Sequence, residues 1–337
     1  MTACYKRILV PIDCAVPSAF AFEHALSLAW ATTAELRVLH LLDDASFKLS
    51  ESSSSMHWSI ESSPDGLAAV ASARHGARLI DVPFSSLIPH RATGDLPGIV
   101  AREALRWHAD LIVVGTHARS GFERLVVGSD AETIVRRAPV PVLLVPCRSG
   151  ASGAGGVRGD ACVYSHILVP YDGSATSERG LDEAIRIAQG FKADLRIIHV
   201  VDDVSIAFAI DAYYADVADW QRSLIEAAGR LVGAAEAKAR AAGVECVGCV
   251  VDTAAGAMGD IVIRYADQHA IDLIVMGTHG RRGLGRAVMG SGAESVSRLS
   301  KIPVMLVRLT LQSVPAGRAD ESEQVSCSLP SAALSIE

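Results

Sequence analysis

Four stretches of the chain occur twice, in the same order and at nearly the same spacing. RILVPID at 7–13 returns as HILVPYD at 166–172, and LRVLHL at 36–41 returns as LRIIHV at 195–200. ADLIVVGTH at 109–117 returns as IDLIVMGTH at 271–279, and APVPVLLV at 138–145 as SKIPVMLV at 300–307. Asp13 and Asp172 lie 159 residues apart, as do His40 and His199; Gly115 and Gly277 lie 162 apart, as do Gly128 and Gly290. A unit of this size is a whole domain and not the turn of a solenoid. At roughly 150 residues per domain, the 337 residues accommodate two.

The second copy reads clearly. Short apolar, β-branched runs predict strands at 167–170, 195–200, 244–251, 273–276 and 303–307. Between them, amphipathic stretches predict helices from about 177 to a stop near Gly190, 215–242 ended by Gly243, 259–269 and 291–299. Near-continuous apolar strands alternating with helices imply a parallel sheet covered on both faces. The expected class is therefore α/β, with two tandem doubly wound (Rossmann-like) domains. Domain 1 is expected over 1–147 and domain 2 over 163–308. The Gly/Ser-rich stretch 148–162 reads as a flexible linker, and the polar, patternless 309–337 as a disordered tail. The last strand of each copy is an apolar edge that needs cover, so 142–145 is expected to pair with 304–307 and make an intramolecular pseudo-dimer. Association into a homodimer of tandems stays open.

Bulk properties narrow the function. Half the residues are hydrophobic and only 5% aromatic, which predicts aliphatic cores. A net charge of −7 without any basic block argues against a nucleic-acid partner. Seven irregularly spaced cysteines suggest free thiols in a reducing cytoplasm. Cys246 and Cys249 fall three apart on a predicted strand, hence on opposite faces, with no second pair nearby to complete a zinc site. The N-terminus enters a strand at once, without the charged and apolar regions of a signal peptide, and no run of about 20 apolar residues suggests a membrane span. A cytoplasmic protein is expected.

In an open parallel sheet, ligands bind beyond the carboxyl ends of the strands. Asp172, Val200 and Gly277 all fall there. Gly277, Gly280 and Gly290, followed by Ser291, leave backbone amides uncovered, and glycine permits the positive φ that turns successive amides into one concavity. The loop opens a helix whose first N–H groups lack partners and whose dipole favours an anion. Together these make a phosphate cradle, with Ser291 capping the helix or offering its hydroxyl to a phosphate or metal. A tight turn followed by an N-cap Ser291 has the same composition and needs no ligand. Composition alone leaves both readings open.

The second copy carries G-x2-G-x9-G-[ST] in full, with VPYDGS after its first strand and HVVDD after its second. In these motifs it resembles the universal stress protein family, over residues 5–147 and 163–308. The resemblance implies a five-stranded parallel sandwich of the adenine nucleotide alpha hydrolase-like type, one branch of which binds ATP. It implies that Asp172 contacts the nucleoside and that Pro170 shapes an adenine pocket beside Val200. Gly277 would lie near the ribose and α-phosphate, while Gly280, Gly290 and Ser291 hold the phosphate chain with Mg²⁺ or Mn²⁺. A carboxylate suits ribose hydroxyls or an adenine amine, although an Asp after a strand also serves as a turn or cap residue. Arg281 and Arg282 either steer the polyphosphate or stand solvated.

The first copy retains Pro11, Asp13, Leu41, Gly115, Gly128 and Ser129 but has Ala118 where the second has Gly280. If that position needs positive φ, alanine costs about 1 kcal/mol, and its methyl also crowds a phosphate. Pro64 and Gly66 argue against a long helix there, and 82–88, with Pro83, reads as a poor third strand. A weaker or empty first site is expected. His40, His199, His117 and His279 have no nucleophile beside them and read as local hydrogen-bonding groups. No Lys follows the glycines, and no water-orienting residue announces itself. The leading expectation is an ATP-binding regulatory protein of the stress response with at most slow hydrolysis, acting on an unknown protein partner. A nucleotide-free interaction module, and an ATP-dependent transferase by fold analogy, remain alternatives.

Overall fold

The computed structural model describes residues 4–13, 15–41, 64–89, 95–116, 128–147, 164–201, 217–252, 256–280 and 289–309. The expected linker, the tail beyond Leu309, and His117, Ala118, Arg281 and Arg282 lie outside these residues.

In the first copy the elements are β1 (Arg7–Ile12), α1 (Val16–Thr32), β2 (Glu35–His40), α2 (Pro64–Leu79), β3 (Phe84–Leu87), α3 (Leu96–Arg106), β4 (Leu111–Thr116), α4 (Ser129–Arg137) and β5 (Val142–Pro146). In the second they are β6 (His166–Pro170), α5 (Ala175–Phe191), β7 (Asp194–Val201), α6 (Val217–Ala241), β8 (Cys246–Asp252), α7 (Met258–Gln268), β9 (Leu273–Gly277), α8 (Ser291–Leu299) and β10 (Val304–Val307). The strands form one sheet in the order β3-β2-β1-β4-β5-β10-β9-β6-β7-β8. Every pairing is parallel except β5 with β10. Each copy is thus a doubly wound five-stranded unit. The central strands β6, β9 and β10 are buried along nearly their whole length, β9 and β10 completely, because helices cover both faces; β7 and the edge strand β8 are only partly buried.

Local chemistry explains where the expected boundaries shift. Helix α5 starts two residues before the predicted position, because Ser174 caps it by accepting a hydrogen bond from the Ser177 amide. It also runs through Gly190. The left-handed residue that ends it is Lys192, at φ 59°, and Thr33 does the same for α1 at φ 55°. Gly243, at φ 77°, follows α6 as predicted. In the first copy a 16-residue helix does form where Pro64 and Gly66 argued against one. Pro64 opens it, a position whose N–H has no helical acceptor to lose. The third strand there is indeed short, with four residues against seven in the second copy.

The two copies meet edge to edge. Val304, Met305 and Leu306 pair antiparallel with Leu144, Leu143 and Val142, as the apolar edges predicted, and one buried cluster runs continuously through both copies. Two cross-copy pairs at matching positions lock the junction. The Tyr5 hydroxyl donates to Glu183 at 2.7 Å, and Tyr164 is hydrogen-bonded to His24 at 2.7 Å. Arg186, paired with Glu183, lies 4.5 Å over the Tyr5 ring. Burial, reinforced by the Glu183 carboxylate, keeps the Tyr5 hydroxyl protonated well beyond its ordinary range.

At the outer edge, β8 is blunted by α6. Glu236 accepts from the Gly248 amide and Arg240 donates to the Cys246 carbonyl at 2.8 Å. Cys246 is buried and Cys249 partly exposed, the opposite faces their spacing implied.

Two outcomes follow from this packing. Tyr5→Phe removes one buried hydroxyl donor and should cost about 1 kcal/mol, read as a lower urea midpoint with unchanged slope. Burial pushes the Cys4 and Cys246 thiols up to about 11, so few thiolates exist at neutral pH. Iodoacetamide on the native protein at pH 7.5 should label Cys249 well ahead of both, as followed by peptide mass spectrometry.

Candidate functional site at the carboxyl rim of the second copy

In the second copy the chain runs from β6 outward through β7 to β8, then crosses back to β9 on the other side of β6. The crevice between the ends of β6 and β9 is the topological switch point, where open α/β sheets bind ligands. Pro170 ends β6 and is buried; Asp172 follows two residues later. Val200, near the end of β7, packs against the buried cluster beneath this rim. Leu41 has the same place in the first copy, where Pro11 is buried and Asp13 exposed.

Gly277 is a glycine because of packing. A Cβ there would lie 2.7 Å from the Thr176 carbonyl carbon and 2.9 Å from the Ser177 amide nitrogen, at the start of α5. Gly180, one turn further along α5, lies reciprocally against the Gly277 nitrogen, 3.3 Å from its own added Cβ. In the first copy a Cβ on Gly115 would lie 2.1 Å from the Pro17 carbonyl oxygen. These close approaches bring the helix after the first strand onto the end of the fourth.

The expectation of positive φ is not met at the three motif glycines. Gly277, Gly280 and Gly290 are absent from the left-handed region, and Gly290 sits at φ −65°. What the loop needs is room. A Cβ on Gly280 would lie 2.7 Å from Asp172 Oδ2, and one on Gly290 would lie 3.3 Å from the Thr278 oxygen and 3.8 Å from the Gly280 nitrogen. Asp172, Gly280 and Gly290 are therefore brought together as the motif predicted.

Two details differ from the sequence reading. Gly290, and not Ser291, is the N-cap of α8, and Ser291 is its first helical residue with an exposed side chain. The Gly290 amide is also consumed, donating to the Thr278 carbonyl at 2.8 Å and closing the loop. The first helical hydrogen bond of α8 runs from the Glu294 amide to the Gly290 carbonyl at 2.9 Å. The amides of Ser291, Gly292 and Ala293 precede it and have no helical acceptor. These three, at the positive end of the helix dipole, form the anion-seeking part of the site. Of the glycine amides expected to face a phosphate, that of Gly290 is thus already engaged.

Asp172 also behaves as a turn residue. Its Oδ1 accepts from the Ser174 amide at 2.9 Å, and Asp13 does the same with Ala15 at 2.9 Å. The other oxygen, Oδ2, faces Gly280. The repeated histidines of the second strands brace this turn: His40 Nδ1 lies 3.0 Å from the Ile12 carbonyl and His199 Nδ1 2.7 Å from that of Tyr171. The local hydrogen-bonding role expected of both is what they have.

The sequence reading missed three contributors. Ser174 and Thr176 both donate hydroxyls to the His279 carbonyl, that of Ser174 at 3.5 Å. Their counterparts in the first copy are Ala15 and Pro17. Asp130 was missed too. It stands in the first turn of α4, behind the Gly128 N-cap and Ser129, where the second copy has Gly292. A carboxylate there already satisfies the helix dipole and repels a second anion. Aligning the copies residue by residue beyond the glycines exposes all three exchanges, though not the carbonyl that the two hydroxyls reach. Among the described residues no cluster of three His, Cys, Asp or Glu forms, and no helix is long and apolar enough to cross a membrane.

These features define a tandem doubly wound α/β protein with a helix N-terminus presented at its switch point. The chain matches the universal stress protein family twice, over residues 4–146 and 164–308. It belongs to that family. It is 30% identical over 154 residues to a universal stress protein of Methanocaldococcus jannaschii, covering 45% of this chain and 86% of that one. A Bacillus subtilis universal stress protein is 30% identical over 151 residues, covering 43% of this chain and all of its own. A solved universal stress protein of Archaeoglobus fulgidus shares the fold across both copies, with a TM-score of 0.63 at 20% identity over 91% of this chain and 99% of that one.

Because the added methyl of Gly277→Ala meets backbone on an immobile helix end, the substitution should destabilise the protein by about 1–3 kcal/mol. Gly290→Ala, with its nearest contact at 3.3 Å, should cost less. Thermal unfolding of the two variants checks the order.

Proposed function

We propose that the second copy binds an adenine nucleotide, ATP accompanied by Mg²⁺ or Mn²⁺, and that the protein is a nucleotide-dependent regulator. The observation that carries this reading is the approach of the Asp172 carboxylate to Gly280, beside the three unpaired amides that open α8. A nucleoside needs an acceptor for its hydroxyls or amine, and its phosphates need amides and a helix dipole. Both lie at one switch point. Pro170 and Val200 supply apolar surface for a base, and Ser291, exposed beside the amides, has a hydroxyl free to rotate toward phosphate oxygens. Mg²⁺ characteristically takes substrate phosphates and water with one or two protein ligands, so the metal would arrive with the nucleotide. The metal would neutralise phosphate charge. Asp172 would orient the nucleoside, and the α8 amides would hold the anionic end.

The first copy is proposed to be the weaker site. A methyl at the position of Gly280 meets the carboxylate that the nucleoside needs, and Ala118 carries such a methyl in sequence. Asp130 adds negative charge where Gly292 leaves none. The alternative of a nucleotide-free interaction module is favoured for this copy alone, on the strength of Asp130.

Mass spectrometry of the purified protein should find bound adenine nucleotide, and titration with Mg-ATP should give one strong site per chain. Asp172→Ala removes a charged acceptor worth about 1.5–3 kcal/mol, so affinity should fall roughly ten- to a hundredfold. A wild-type chain that neither retains nor binds adenine nucleotide ends this reading.

A further inference from the structure

We infer that Thr176, assisted by Ser174, is the positioning residue of the second-copy site: its hydroxyl anchors the His279 carbonyl and so sets the loop that faces Asp172. The inference rests on the nucleotide reading above and adds what selects one copy over the other.

The anchor crosses two elements that adjoin nowhere in sequence. Thr176 is the second residue of α5, and His279 stands two residues beyond the end of β9, immediately before Gly280. The Thr176 hydroxyl donates to the His279 carbonyl, and the Ser174 hydroxyl lies 3.1 Å from that of Thr176 and 3.5 Å from the same carbonyl. Thr176 is buried, and its main chain presses on Gly277, so its side chain has little freedom to point elsewhere.

The loop is then held at three successive residues. Thr278 is fixed through its amide to Val307 at 2.9 Å and through its carbonyl to Gly290 at 2.8 Å. His279 is held at its carbonyl by the hydroxyls, and its ring Nδ1 lies 2.9 Å from the Thr278 hydroxyl. Its Nε2 is buried with no hydrogen-bond partner among the described residues. Gly280 follows directly, against Asp172. A buried polar atom without a partner is costly and persists only where the surrounding structure dictates the conformation. The hydroxyl anchor on the carbonyl of the same residue is such a restraint.

The first copy lacks these hydroxyls. Ala15 and Pro17 occupy the two positions. Neither side chain carries a hydroxyl to donate. Close packing of helix on strand survives there through Pro17 and Gly115, so packing does not require the hydroxyls. Their presence in the copy with the complete glycine motif, and their loss from the copy with Ala118, points to the loop as their purpose.

Thr176→Val removes the hydroxyl and keeps the shape, while Thr176→Ser keeps the hydroxyl. Ser174 is left alone because it also caps α5. Both variants are made in the full chain. Hydrogen exchange over 278–292 is measured without nucleotide, and Mg-ATP affinity by calorimetry. In the valine variant, exchange there should be faster and affinity several-fold weaker; the serine variant should match wild type in both. Affinity unchanged by valine, or equally weakened by serine, overturns the inference, as does unchanged exchange. Because exchange needs no nucleotide, a wild type that fails to bind ATP while valine still loosens the loop would sink the nucleotide reading and leave the anchor standing. Unchanged exchange with intact wild-type binding would do the reverse.

Discussion

The site depends on a contact in which two main chains touch without side chains between them. The start of α5 lies so close to the end of β9 that neither Gly277 nor Gly180 has room for an unstrained methyl. Because α5 follows β6 directly, this contact draws the Asp172 turn toward the β9 loop. Everything proposed about ligand binding inherits that geometry. The same contact recurs between Pro17 and Gly115, so it predates the divergence of the copies and belongs to the fold. The differences between the copies are layered over it, at Ser174, Thr176, Gly280 and Gly292.

This separates two uses of glycine that look alike in a sequence. Gly277 answers to helix packing, Gly280 to a carboxylate, and Gly290 to the close return of the loop on itself. None serves the left-handed conformation that glycine-rich loops bring to mind. Among the described residues, the α8 amides that precede its first helical hydrogen bond belong to Ser291, Gly292 and Ala293. The letters of a motif can thus do structural tasks of their own.

Architecture was legible in the sequence because burial on both faces of a parallel sheet writes itself as unbroken apolar runs, and because duplication offers each run twice. Val142 and Val304 at the unpaired edges foretold the junction for the same reason. Helix ends were harder. Lys192 and Thr33 adopt the left-handed stop that glycine usually supplies, and nothing in their chemistry announces it. Pro64 was misread because its effect depends on whether it opens a helix or interrupts one, which local sequence does not reveal. The hydroxyl anchor was invisible for a further reason: it joins residues 103 positions apart. Asp130 was legible in principle, since its exchange for Gly292 needs only the two copies side by side.

The antiparallel junction of β5 with β10 has a geometric consequence. Since every other pairing is parallel, the strands of the two copies point in opposite directions, and their carboxyl rims open at opposite ends of the ten-stranded sheet. Two nucleotides on this chain could never share a phosphate, a metal or a residue. What joins the two ends is the seam itself, the β5–β10 pairing together with the Tyr5–Glu183 and Tyr164–His24 bonds that cross it.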